Sequence, residues 1–457
     1  MKPEQEYIKL FDRHRDMLYR YAPEVMNRKR EEALASIAKT GLPSANEEGY
    51  LYSNIAQLFE AEYGMNFQRL DFPVNPYGAF RCDVPNLSTQ LYFMVNDAFY
   101  HKQLPKPTLP EGVFAGSITD FAAAHPEIAS KKYAALAKIE EKGIAAFNTL
   151  FAQDAFVLHV PKGVVLNKAI QLVNILRSDV DLLVNRRFLI ILEERSEAKL
   201  LLCDHGIDAV NFLATQVIEV YVGENAVFDL YELEENTRNT NRLSSVYVEQ
   251  KAGSAFLHNG ITLHNGFTRN NLSITLNGKH AEATTSGIAI ADATQHIDSY
   301  TRIGHQAAYC RSNELYKYIL DDKATGAFNG HIKVHPGAQK TEAYQTNRNL
   351  CLSKTARMFS RPQLEIYTDD VKCSHGLSTG QIDENALFYL RSRGISKEEA
   401  LLLLKFAFAA DVLEHIGLDA LKDRLRMLIE KRLRGELARC ERSSEKHSSV
   451  VSTIKCG

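Results

Sequence analysis

The residues best suited to chemistry lie late in the chain, in the run Asp369-Asp370-Val371-Lys372-Cys373-Ser374-His375-Gly376. Just before it, Leu364, Ile366 and Thr368 alternate with Glu365 and Tyr367, the period of a half-buried strand. If residues 371–375 are also extended, side chains two apart share a face, so the thiol of Cys373 and the imidazole of His375 stand together. Thiolate plus imidazole is a soft donor pair, suited to iron, iron–sulphur or zinc rather than magnesium or calcium. Two donors do not close a four-ligand site, and no C-x-x-C occurs in the chain to supply the rest. A metal held here is therefore shared or transient. The competing reading is a buried cysteine beside a hydrogen-bonded histidine, a common fate of free cysteine.

Other constellations carry less. Gly376-Leu377-Ser378-Thr379-Gly380 matches the G-x-S-x-G elbow of serine hydrolases, with Asp411 and His415 following in order. That elbow needs a strand–turn–helix in an α/β sheet, whereas strand-like text precedes it here, so a hydrolase is rejected. His331 and His335 flank Lys333, whose ammonium opposes a cation, and they read as surface polar residues. Cys203-Asp204-His205 repeats the C-x-H spacing and reads as structural, as do Cys310 and Cys351. Neither G-x-x-x-x-G-K-[ST] nor G-x-G-x-x-G occurs, so no phosphate-cradling loop is expected and any ATP dependence belongs to another protein.

The elements that must position Cys373 and His375 follow from the rest of the chain. Its 457 residues are 45% hydrophobic, enough for a large core. The 54 Lys and Arg nearly balance 56 Asp and Glu, a net charge of −2, so no basic field draws nucleic acid or anionic lipid. The opening MKPEQEYIKL lacks the apolar core of a signal peptide, and no apolar run approaches a membrane span of about 18 residues. The seven cysteines at 82, 203, 310, 351, 373, 440 and 456 form no disulfide framework, and a cytoplasmic chain with free thiols is expected.

One or two amphipathic helices are predicted between Glu4 and Lys39, ended by Pro43, and a helical stretch from Ile118 to Leu150. From Phe156 to Thr368 the text is strand-like, with small-residue turns returning at Ala198, Ala226, Ala255, Ala281 and Ala307, spaced 28, 29, 26 and 26 residues. Near-constant spacing without sequence identity is what stacked coils leave, because successive corners pack tightly. Asp383 and Ser396 then read as N-caps of helices, the first stopping at Gly394, the second carrying Leu401, Leu404, Phe408 and Val412. A third places Leu421, Leu425, Leu428 and Ile429 on one stripe, with Lys422, Arg426, Lys431 and Arg432 around it. The expected architecture is mainly β: a right-handed parallel β-helix over 151–382, an N-terminal helical and mixed region over 1–150, a C-terminal helical domain over 383–440 and a mobile tail over 441–457.

The run DDVKCSHG with TGQIDENALFYLRSRGIS, and GLPSANEEGY from Gly41 with Tyr50 at a usual Trp position, closely resemble signatures of the SufB/SufD family on its SufD side. Where the SufB side would show an H-E-H-E cluster, this chain has Lys372-Cys373-Ser374-His375. The resemblance implies a parallel β-helix and a non-ATPase scaffold subunit for iron–sulphur cluster assembly, not an enzyme. It implies a transient cluster shared with a SufB-like paralogue, with His375 and, less firmly, Cys373 as candidate ligands. It implies a SufC-like ABC ATPase docked on the terminal helices, at a surface represented by Leu401, Leu404, Phe408 and Val412. No bound nucleotide, nucleic acid or membrane partner is expected, and a homodimer of the isolated chain is left open. The alternative within the same complex is a purely architectural subunit with no cluster ligand.

Overall fold

The computed structural model describes residues 2–79, 89–102, 108–141 and 143–436. The expected tail over 441–457, Cys82, Cys440 and Cys456 lie outside the described residues.

The long strands pack as a parallel β-helix of about eight turns, with a ten-stranded and a nine-stranded sheet among the described residues. Successive strands alternate between the sheets, so each turn of chain adds one rung to both. Leu182–Leu192 is buried at all eleven positions. Its inward residues Phe188, Ile190 and Leu192 join the main core, while Leu189 and Ile191 face outward under the N-terminal helices. A parallel sheet covered on both faces explains why these strands read as continuous apolar runs rather than as alternation. Each such side chain contributes about 1.5–3 kcal/mol on full burial.

The corners follow one rule. Ser196, Ala226, Ser254, Ala281, Cys310 and Thr341 are all buried, and each carbonyl accepts a backbone N–H from the next rung, as in Ala255 N to Ala226 O at 2.9 Å and Glu342 N to Cys310 O at 3.1 Å. The residue just before each, such as Asn225, Gly253, His280 or Tyr309, has φ between 55° and 65°. A left-handed residue followed by a small buried one turns the chain within the stacking distance of its neighbours. The predicted alanine repeat is thus a real corner signal, with a difference in register. Ala226 and Ala281 are in the column, whereas Ala198 and Ala255 lie inside strands just past it.

The flanking helices differ in detail from the expectation. The N-terminal pair is three segments, Pro3–Tyr21, Glu24–Asn27 and Arg30–Thr40, and the last ends at Gly41 with φ 69° rather than at Pro43. Among the described residues the stretch 118–150 is likewise three helices, Ile118–Ala124, Pro126–Lys132 and Ile144–Phe151, interrupted where Pro126 starts a new first turn and ahead of Gly143. Tyr7, Phe59, Phe147 and Phe151 pack edge to face between these segments. At the other end Asp383 caps Glu384–Ser392 by accepting from Asn385 and Ala386 N–H, and Ser396 caps Lys397–Leu413. Asp419–Leu433 is the last helix among the described residues, and the expected stripe of Leu421, Leu425, Leu428 and Ile429 is buried.

Candidate functional site

Cys373 and His375 lie on Lys372–Gly380, the outermost strand of the ten-stranded sheet. The strand pairs in parallel with Glu342–Cys351, bringing Cys373 opposite Ala343, His375 opposite Gln345 and Leu377 opposite Asn347. Ala343, Gln345 and Asn347 are buried and alternate with exposed or half-buried neighbours, so this is the inward face of the helix. Cys373 and His375 therefore occupy interior positions of a coil that has no further coil above it among the described residues. The same holds for Arg357–Ile366 on the other sheet, and neither strand has a buried residue.

The two candidate donors differ in setting. His375 is exposed; Cys373 is half-buried and packs with Val371 against the main core. Burial pushes the Cys373 thiol up, while a hydrogen bond from the Ala343 backbone pulls the other way. A thiol so placed is a weaker donor at neutral pH than an activated one, because the thiolate is the ligand. Among the described residues no group of three His, Cys, Asp or Glu side chains is arranged to hold a metal. Gly376–Gly380 lies within one strand, with no strand-to-helix turn for a nucleophile elbow, and Asp411 is engaged by Lys317.

Beneath His375 the interior is polar. Gln345 is 1% exposed and its Nε2 donates to Glu314 Oε2 at 2.6 Å. Asn347 Nδ2 donates to Tyr316 O at 3.1 Å, and its Oδ1 accepts from Asn349 and Ser360. Burial pushes the Glu314 carboxyl up to about 7, with the Gln345 hydrogen bond opposing. Farther along, Arg242 joins Asp204, Glu232 and Glu234, and His258 meets Glu232 at 2.8 Å beside a cavity of about 40 Å³. Asp204 is thus inside the helix, while its neighbour Cys203 points outward into the packing under the terminal helices. Sequence reading missed this polar interior: EAYQTNRNLC places Gln and Asn where alternation would call for apolar residues, and only the rung register shows that they point inward.

The terminal helices cover the outer face of the ten-stranded sheet. Ala409, Val412 and Leu413 pack with Leu201, Tyr231, Ile261, Ile288 and Ile319. Of the four residues assigned to a docking surface, Val412 is fully buried here, and Leu401, Leu404 and Phe408 are half-buried. Phe388, Tyr389, Leu403 and Met427 are exposed instead. Lys317, 2% exposed, donates to Asp411 Oδ2 at 2.6 Å and to Phe408 O at 2.8 Å. Arg432, expected beside the apolar stripe of its helix, is 4% exposed and reaches Asp292 at 2.7 Å and Gln295 Oε1 at 3.0 Å. The charge is buried because the fork reaches past the helix to strand ends and a turn rich in acceptors.

Residues 175–408 match the family model described as SUF system FeS cluster assembly, SufBD core domain, and residues 1–172 match the SufBD protein N-terminal region. Over 182 residues, 40% of the chain, the sequence is 40% identical to the iron-sulfur cluster assembly protein SufD of Escherichia coli, a stretch spanning 43% of that protein. A SufBD family protein of Synechocystis is 26% identical over 89% of this chain and 91% of its own length. SufD of Bacillus subtilis is 27% identical over 77% and 81%. With a core-domain match that spans most of the β-helix and runs into the helices after it, and an N-terminal match that covers the helices before it together with the first strands, the chain belongs to the SufBD family of iron–sulphur cluster assembly proteins.

Proposed function

We propose that this chain is a non-catalytic scaffold subunit on which a nascent iron–sulphur cluster, its cargo, is assembled at the open end of the β-helix together with a SufB-like paralogue. His375 supplies a ligand or essential polar group from this side; Cys373 is the second and weaker donor. The observation that carries the reading is that His375 is exposed at an inward position of the last coil, where a partner stacked on the open strand edges would enclose it. Enclosure would supply the missing ligands and exclude water from the growing cluster.

The helical region from 383 onward is the docking element for a SufC-like ABC ATPase, through Leu401, Leu404 and Phe408 together with exposed neighbours such as Leu403; Val412 serves packing. Nucleotide belongs to that partner, and ATP-driven closure of two ATPase copies would move the helices against the β-helix. The assembly operates in the cytoplasm, with 1–150 as the cap of the solenoid and 151–382 as its body. A second reading, a purely architectural subunit, draws support from Cys373, which is packed against the core. Iron and acid-labile sulphide in the complex of wild type and His375→Ala separate the two: loss with the complex intact supports the cluster site, and retention supports architecture.

A further inference from the structure

Gln345 occupies the interior position directly below His375 in the parallel ladder. Its amide is fixed on one side only. Nε2 donates to Glu314 Oε2, on the rung below, at 2.6 Å, while Oε1 is buried with no hydrogen-bond partner among the described residues. Nitrogen and oxygen branch from the same carbon, so an amide whose nitrogen is committed to the lower rung has its carbonyl available to another neighbour. A buried carbonyl without a donor is costly to keep, at about 1–3 kcal/mol for a neutral group.

The opposite sheet makes room for this amide. Gly330 lies across the interior, and a Cβ placed there would come within 2.2 Å of Gln345 Nε2 and 2.9 Å of Oε1. Gly330 is not in a left-handed conformation and does not turn the chain. Its lack of a side chain serves the space that the glutamine head group fills.

We propose, resting on the reading of His375 given above, that Gln345 is a positioning residue for it: its carbonyl accepts the proton of one imidazole nitrogen when the coil end is enclosed, and so fixes the tautomer that turns the other nitrogen outward as donor. An acceptor behind a ligating imidazole orients the ring and selects its tautomer. Glu314 and Gly330 hold the amide in place from below and from across.

The test uses the full chain in its complex with the paralogue and the ATPase, reading iron and acid-labile sulphide per complex and the thermal midpoint. Gln345→Leu, similar in size but without an acceptor, is expected to lower cluster content at least ten-fold with little change in midpoint. Gln345→Glu keeps an acceptor oxygen and is expected to recover a substantial part, although a second carboxyl beside Glu314 lowers the midpoint. A purely structural role gives the opposite order, since the buried acid harms folding more than leucine does. Gly330→Ala, which displaces the amide without removing it, is expected to follow Gln345→Leu, and carries the test if that variant fails to fold. Wild-type cluster content in Gln345→Leu or Gly330→Ala while His375→Ala loses it overturns the proposal, as does a glutamate variant worse than the leucine one. Wild-type content in His375→Ala overturns the underlying reading instead.

Discussion

His375 stands in register with Gln345 on one side, and on the other side of its strand no further rung follows among the described residues. An interior position is thereby turned into a surface one. Along the helix the equivalent column runs through Leu230, His258, Thr285, Glu314 and Gln345, each buried. The end of the stack exposes a side chain whose counterparts are all enclosed, which is the geometry of half an interface.

The Glu314 carboxyl gives a pH signature. Its folded value is raised to about 7, with burial as the leading cause, above the ordinary glutamate value near 4.3. A raised carboxyl means that the folded state binds the proton more tightly, so this contribution is present below about pH 4.3 and is lost as pH rises towards 7. Glu314→Gln mimics the protonated form. The thermal midpoint of the variant relative to wild type should therefore climb between pH 5 and pH 8; a difference independent of pH would refute the assignment.

Two ends of one ion pair should respond unequally. Lys317 is almost fully buried, whereas the Asp411 side chain is 54% exposed. Removing the acid leaves an ammonium under the helix with one carbonyl acceptor, Phe408 O, and the ring beneath it. Removing the base lets the acid rehydrate. Asp411→Ala should thus destabilise by roughly 2–4 kcal/mol and Lys317→Met by less, measured by chemical denaturation. Equal costs would contradict the burial asymmetry.

Arg432 tests whether the last helix is held by geometry or by charge alone. Its Nη1 meets Asp292 while Nη2 meets Gln295 and Ile290 O. Lysine keeps the charge but cannot fork, so Arg432→Lys should cost on the order of 2 kcal/mol and speed proteolysis of Asp419–Leu433. Proteolysis unchanged from wild type would show that apolar packing suffices.

The corner column predicts a positional contrast. Ala281 is fully buried between stacked corners, while Ala255, one residue past its corner, is half-buried. Ala281→Leu should lower stability by about 1–3 kcal/mol and Ala255→Leu by much less, read from denaturant midpoints. This contrast also marks how far sequence reading reached. Small residues at a near-regular spacing announced the coils, but several small residues cluster at each corner and only backbone pairing shows which one turns inward. The alternation at 364–368 belongs to the preceding strand on the other sheet, so the extended run that carries Cys373 and His375 was legible only as a condition. The inward Gln345 and Asn347 were not, because polar residues in a strand read as solvent-facing until the opposite sheet is in place. Arg432 was hidden for the same reason: a helical stripe says which face is apolar, not what lies within reach of a long side chain at its border.

The most direct measurement is cluster content of the assembled complex carrying His375→Ala. The exposed position of this imidazole predicts that the variant folds with a wild-type midpoint, retains its partners and yields at least ten-fold less iron and acid-labile sulphide. Full cluster content in an intact complex would contradict a role for His375 in building the cluster.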